Sequence, residues 1–152
     1  MSVSPRSENR PAVLWAARVL VAAVCAWNLS AAIPFVLNPA RYAPGFEVSG
    51  AGGEALVRGL GVAFLMWQIP FLPVLWNPRR NRTYFLVILA MQAVGLAGES
   101  MMMASLPLGH VALRSTGWRF IAFDGAGLAL LALAYAVVIS LRLSFSPERQ
   151  KK

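Results

Sequence analysis

The residues able to do chemistry are few, and most of them sit where a bilayer would reject them. Glu99 and Asp124 lie inside long apolar runs, as does Asn28, while Glu54, Arg58 and Arg119 stand near the ends of such runs. A charge near mid-membrane costs several kcal/mol, so each needs a partner or a purpose. At helical rise, Asp124 falls ~10 Å and Glu99 ~12 Å from one end of their runs, with Asn28 at similar depth. All four apolar runs therefore place polar atoms in the same half of the expected bundle. Three carboxylates face two arginines there, and His110 and Tyr42 occupy the loops above.

Two readings of this cluster stand side by side. It is a set of interhelical ion pairs and hydrogen bonds that fixes packing. Alternatively it is a cavity that binds a polar headgroup, a quinone ring or an ion, with Glu99 or Asp124 changing protonation. Arg58 and Arg119 would then hold an anionic group. Burial and a neighbouring arginine act on a carboxylic acid in opposite senses, so residue types alone leave its charge open.

Spacing assigns faces. Glu54, Arg58, Gly61, Leu65, Gln68 and Leu72 follow steps of four and three and form one helical stripe. Glu54 to Arg58 has the favourable order for an ion pair one turn apart. Gln92, Leu96, Glu99 and Met103 form a second stripe, and Asp124, Gly127 and Leu131 a third. Arg119 lies ~140° around the helix from Asp124, so the two do not share a face. Gln68 and Gln92 stand at matching depth and are expected to hydrogen-bond between helices.

The elements that must carry these side chains are membrane helices. The chain has 152 residues, 58% of them hydrophobic and 13% charged, where a soluble domain carries roughly 25% charged residues. Crossing a ~30 Å hydrocarbon core takes about 20 apolar residues in a helix. Four runs qualify: 12–35, 54–76, 84–107 and 117–141. The expected fold is an all-α polytopic membrane protein, a four-transmembrane-helix bundle forming one domain over 1–152. Continuous apolar runs exclude a membrane β-barrel, which needs many short alternating segments.

Lys and Arg set the orientation. Arg6, Arg10, Arg79, Arg80, Arg82, Arg142, Arg149, Lys151 and Lys152 lie on one side, against Arg41 and Arg114 on the other. Cytoplasmic loops keep the positive excess, so both termini are expected in the cytoplasm. Trp15, Trp76 and Tyr84 then mark the inner interface and Trp118 the outer one. Small residues at Ser30-Ala31-Ala32 hint at a signal peptide, but the run is long and Arg18 interrupts it, so a retained anchor is expected. The net charge of +8 is mostly this orientation signal. The tail residues Arg149, Lys151 and Lys152, offset by Glu148, are expected to rest on anionic lipid. Nucleic acid is not an expected partner, since no recognition motif is present.

Other chemistry is excluded or weak. One cysteine, Cys25, and one histidine, His110, build neither an intramolecular disulfide nor a multi-His metal centre. No Gly-rich phosphate loop, Ser-His-Asp set, HExxH or redox CxxC occurs. No catalytic residue and no metal ligand is expected, and Cys25 reads as a small buried residue. Met101-Met102-Met103, with Met66 and Met91, reads as adaptable packing rather than a copper site. Gly59, Gly61, Gly95, Gly98, Gly125 and Gly127, with the pairs Ala22/Ala26 and Ala122/Ala126, suit close helix approach. Pro70 and Pro73 should kink the second span near its cytoplasmic end. The loop from Asn38 to Glu47 is either a plain connector or an ordered cap, with Tyr42 and Phe46 on the interface and Glu47 outward.

Asn38-Pro39-Ala40-Arg41-Tyr42, Arg58-Gly59-Leu60-Gly61, Gly98-Glu99 and Arg119-Phe120-Ile121-Ala122-Phe123-Asp124 resemble segments of small bacterial four-helix membrane proteins. The layout over 12–141 is similar to the DoxX-like group. That resemblance implies a four-helix bundle in a bacterial inner membrane and supplies no activity. The leading expectation is a non-catalytic accessory or assembly subunit of a larger inner-membrane complex, with other membrane subunits or further copies of itself as partners. The alternative is a small carrier, or a lipid- or quinone-active enzyme, built on the polar cluster. No cofactor beyond a lipid or quinone is implied.

Overall fold

The structure, a computed structural model, describes residues 9–143. Arg6, Glu148, Arg149, Lys151 and Lys152 of the orientation argument lie outside the described residues. The described residues form an all-α polytopic bundle, with no strand among them. Helix α1 runs Asn9–Leu37, and a short α2 (Pro39–Tyr42) with a 3-10 turn (Ala43–Phe46) caps that end of the bundle. Then come α3 (Gly50–Trp67), α4 (Phe71–Trp76), α5 (Arg82–Ser105) and α6 (Val111–Leu143). Taken with α4 continuing α3, four segments are long and apolar enough to cross a membrane: Ala12–Leu37, Gly50–Trp76, Arg82–Ser105 and Val111–Ser140.

Most bounds shift by a few residues, and the second span begins at Gly50 rather than Glu54. The third helix ends at Ser105, short of Pro107, and the fourth begins at Val111 rather than Gly117. The early start of α6 has a physical cause. Glu47 Oε1 accepts the backbone N–H groups of Ala112 and Leu113, each at 3.1 Å. Those are two of the orphan donors that any helix N-terminus leaves.

The second span is interrupted rather than merely bent. Pro70 has no N–H to give to the Met66 carbonyl, and its ring crowds that turn. The backbone there tightens into three-residue bonds, Gln68 N–H to Leu65 O at 3.0 Å and Phe71 N–H to Gln68 O at 3.0 Å. Pro73 does no such damage. It falls in the first turn of α4, where an N–H has no helical partner to lose.

Helix α1 packs on α3 and α6, α6 packs on α5, and α4 bridges α1 and α5. The α5–α6 pair keeps one antiparallel register along its length. Met103 faces Gly117, Gly95 faces Asp124, Gln92 faces Gly127, and Phe85 stacks edge-on with Tyr135 at 5.1 Å. Two cores result. One, toward the Trp15 and Trp76 end, gathers Val21, Val24, Phe71, Phe85, Ile88 and Leu131 with the buried Cys25. The other, beneath the cap, gathers Phe35, Ala43 and Val57 with Tyr42, Phe46 and Phe120. Large apolar side chains such as Val19, Leu56, Met66, Leu72 and Val94 cover the outside, as a lipid-facing surface requires.

The small-residue faces separate into used and open ones. A Cβ at Gly61 would meet Phe35 Cβ at 2.8 Å and the Ala32 carbonyl at 2.9 Å, so α1 and α3 touch there. Gly59 and Gly98 meet nothing within 4 Å. Gly61→Leu is therefore expected to destabilise the bundle by about 1–3 kcal/mol through overpacking. Gly59→Leu is expected to leave stability unchanged. Melting of the two purified variants in mild detergent checks the contrast.

Candidate functional site

Between the two cores lies a cavity of about 400 Å³. All four spans contribute to it. Helix α1 supplies Asn28 and Ala31, and α3 supplies Leu60, Phe64, Trp67 and Gln68. From α5 come Gln92, Val94, Gly95, Gly98, Glu99 and Met102, and from α6 Phe120, Phe123 and Asp124, with Phe46 of the cap above. The walls are mainly apolar, with five aromatic rings among them, and the polar groups converge from separate helices, the usual composition of a small-molecule site.

Its polar floor is built by geometry that the helices impose. Gln92 Nε2 donates to Asp124 Oδ1 at 2.8 Å. The Gln92 amide also lies over Gly127, while Asp124 Oδ2 packs on Gly95, so each polar side chain occupies the space of a missing Cβ opposite. Gln68 is placed by the proline break. Once its own N–H turns to Leu65, the Phe64 carbonyl lacks a helical donor, and Gln68 Nε2 supplies one at 3.0 Å. Gln68 Oε1 is left buried without a hydrogen-bond partner, as is Glu99 Oε2.

Aromatic contacts stiffen the cap end. Phe46 stacks on Phe120 at 6.0 Å and on Phe35 at 5.7 Å, and Phe64 lies 6.0 Å from both Trp67 and Phe120. On the other flank Trp27 packs on Phe123 at 4.5 Å. The loop from Asn38 to Glu47 is thus an ordered cap, but Tyr42 and Phe46 turn inward to the Phe35 cluster rather than onto the interface. Two tethers hold it to α6 and to the residue just before it. Thr116 Oγ1 donates to the Gly45 carbonyl at 2.7 Å, and His110 Nδ1 donates to Glu47 Oε2 at 2.5 Å.

The expected polar cluster divides in two. Asn28, Glu99 and Asp124 do share the cavity, joined by Gln68 and Gln92. Glu54, Arg58 and Arg119 do not line it. Arg58 is exposed and its Nε donates to the Val36 carbonyl at 3.3 Å, so the expected Glu54–Arg58 ion pair is not made. Arg119 is exposed on a different face of α6 from Asp124, as their ~140° separation requires. Nor do Gln68 and Gln92 bond each other, because each amide is claimed elsewhere, by Phe64 and by Asp124. The methionine run also disperses: Met101 is 73% exposed while Met103 is buried against Gly117. Among the described residues no group of three His, Cys, Asp or Glu is placed to hold a metal ion.

No protein-family model, curated protein or solved structure matches this chain.

Two features escaped the sequence reading. The aromatic walls carried a signal, since Phe64 and Trp67 stand four and one residues before Gln68, as Phe120 and Phe123 stand before Asp124. The Glu47–His110 tether carried none, for its partners lie 63 residues apart in two unrelated loops.

The tether gives a pH expectation. The His110 hydrogen bond, then the Leu113 N–H, hold the Glu47 carboxyl below its ordinary value of 4.5. A lowered acid contributes stability that is present above its unfolded value and is lost as pH falls through the folded one. Wild type is therefore expected to melt above Glu47→Gln at neutral pH. The two curves should converge on acidification past 4.5. A gap that stays constant with pH would contradict the capping role.

Proposed function

We propose that this protein is a multi-pass membrane protein whose bundle binds a lipophilic small molecule with a polar head, admitted sideways from the bilayer. One observation carries this reading. The cavity of about 400 Å³, within the roughly 300–1,000 Å³ typical of ligand sites, sits where the α3 and α5 backbones are not closely packed and the Trp67 ring reaches Gly95. Helices α1–α3 and α5–α6 are held as pairs, and α4 closes the gap only below the proline break. Beside the gap stand Gly98, with nothing within 4 Å of its missing side chain, and the partly exposed Trp67 and Met102. Phe46 and the tethered cap shield the cavity from the aqueous side. A hydrophobic ligand then enters from lipid, its body among the aromatic rings and its head at Gln68, Glu99 and Asp124.

The charge distribution supports a cytoplasmic location for both termini. Arg79 and Arg80 are exposed in the α4–α5 loop. At that end, too, Arg18 Nη2 donates to the Trp76 carbonyl at 2.6 Å, with its guanidinium 5.2 Å from the Trp15 ring centre. A bacterial inner membrane and affinity with the DoxX-like group belong to the same proposal, on the four-helix layout and the positive-inside rule.

The accessory-subunit reading is a second proposal, favoured by one feature. Gly52, Leu56, Gly59 and Met66 lie along one exposed face of α3, and a Cβ at either glycine would meet nothing within 4 Å among the described residues. Close approach of another membrane helix suits such a face. Recovery from native membranes in fixed ratio with a larger subunit, lost on Gly59→Leu, is its test.

The cavity reading is tested with a neutral fluorinated probe, bis(fluorophenyl)propanol, followed by fluorine NMR in detergent. Wild type is expected to show a saturable bound signal. Gly98→Leu, whose Cβ would meet nothing within 4 Å among the described residues, is expected to lose that signal at unchanged melting temperature. Equal binding by both proteins, or none by either, overturns the reading.

A further inference from the structure

With Glu99 and Asp124 ionised, the free polar atoms of the cavity are mostly acceptors. A carbonyl can be met only by the NH2 end of an amide, so the Gln68–Phe64 bond fixes which way that amide faces. Gln68 is 7% exposed, lines the cavity, and its Oε1 has no partner. The Gln92 NH2 is committed to Asp124, which leaves its oxygen as the remaining polar end. Glu99 Oε2 is buried and unpartnered, one turn along α5 from Gly95, where Asp124 Oδ2 makes contact. The donors on the walls are the Asn28 amide and the Trp67 indole N–H.

Among the described residues no Lys, Arg or His lines this space. Arg58 is spent on the Val36 carbonyl and Arg119 is exposed on another face. Buried acceptors without donors are costly, and carboxylates in apolar surroundings more so. A ligand that brings N–H donors and positive charge relieves this cost. An anion adds to it. The faces of Phe64, Trp67, Phe120 and Phe123 also attract a cation, since aromatic faces are electron-rich.

Resting on the cavity reading above, we propose that the ligand is a lipophilic cation: a protonated amine on an aromatic or branched apolar body. The ammonium is held by Glu99, Asp124 and Gln68 Oε1, three acceptor groups for its N–H donors. The body lies against the aromatic walls toward the α3–α5 gap. This reverses the sequence expectation of an anionic group held by arginines.

Three probes with one shared body test the proposal: bis(fluorophenyl)propylamine, the matching alcohol and the matching carboxylate. Affinities are read by fluorine NMR for wild type, Glu99→Gln and Asp124→Asn, each variant first shown to melt cooperatively. Using the amine-to-alcohol ratio cancels differences in partitioning into detergent. Wild type is expected to prefer amine over alcohol by roughly 10- to 100-fold, the range of one or two charge-assisted hydrogen bonds. Both variants should cut that preference about tenfold while still binding the alcohol. Gln68→Met, which removes one acceptor at similar volume, should reduce it as well, and serves if a carboxylate variant does not fold. Equal affinity for amine and alcohol, or tightest binding of the carboxylate, overturns the cationic ligand and leaves the cavity reading standing. Absence of binding for all three overturns the cavity reading itself.

Discussion

The structure depends on a reciprocal contact between α5 and α6. Gln92 fills the space left by Gly127, Asp124 fills the space left by Gly95, and the two side chains hydrogen-bond at 2.8 Å. In a bilayer, helices gain little from burying apolar surface, so close approach and interhelical hydrogen bonds must hold them together. Here both come from the same four residues. A methyl group at Gly95 would collide with the Asp124 carboxylate, and one at Gly127 would reach the Gln92 amide at 2.8 Å. The glycines are therefore what allows the polar pair to exist.

Binding α5 tightly to α6 has a consequence for α3. Helix α1 occupies the other side of α6 and takes α3 with it, through Gly61 against Phe35 and Ala32. The two pairs meet through α1 and α6, and α3 reaches α5 through side chains such as Trp67, whose ring lies 3.8 Å from where a Cβ would stand at Gly95. The Pro70 break then lets α4 swing against both α1 and α5, closing the bundle on the Trp76 side only. Phe46, pinned by the tethers from Glu47 to α6 and from Thr116 to Gly45, closes the other side. A void between two cores follows from this pairing, not from loose packing. The rings around it stack on one another with centres 4.5–6.3 Å apart.

Much of the frame was legible in the residues. The four spans follow from apolar length, and the stripes Gln92–Leu96–Glu99–Met103 and Asp124–Gly127–Leu131 do face inward, because a 3.6-residue period fixes the face once a helix forms. Partners were less legible than faces. Glu54 and Arg58 have ideal ion-pair spacing, yet the Val36 carbonyl near the end of α1 offers the arginine an acceptor that no local pattern reveals. Gln68 and Gln92 share a depth, but depth says nothing about which carbonyl a proline break will free. The Glu47 cap was invisible for the same reason. Its length shift in α6 arises from a contact between loops, and loop-to-loop contacts leave no periodic trace.

The segregation of charge follows from side-chain reach. An arginine has a long stem and moves its guanidinium to water or to a free carbonyl at a helix end. Arg18 does this at Trp76 and Arg58 at Val36. Asp and Glu are too short to escape from ~10 Å inside a span. Cations and anions placed at similar depth in the sequence therefore do not neutralise one another when the bundle forms. The arginines withdraw to the ends, and the carboxylates stay behind with the glutamines. The outcome is an aromatic chamber whose polar groups mostly accept, an imbalance that these four helices create and do not themselves correct.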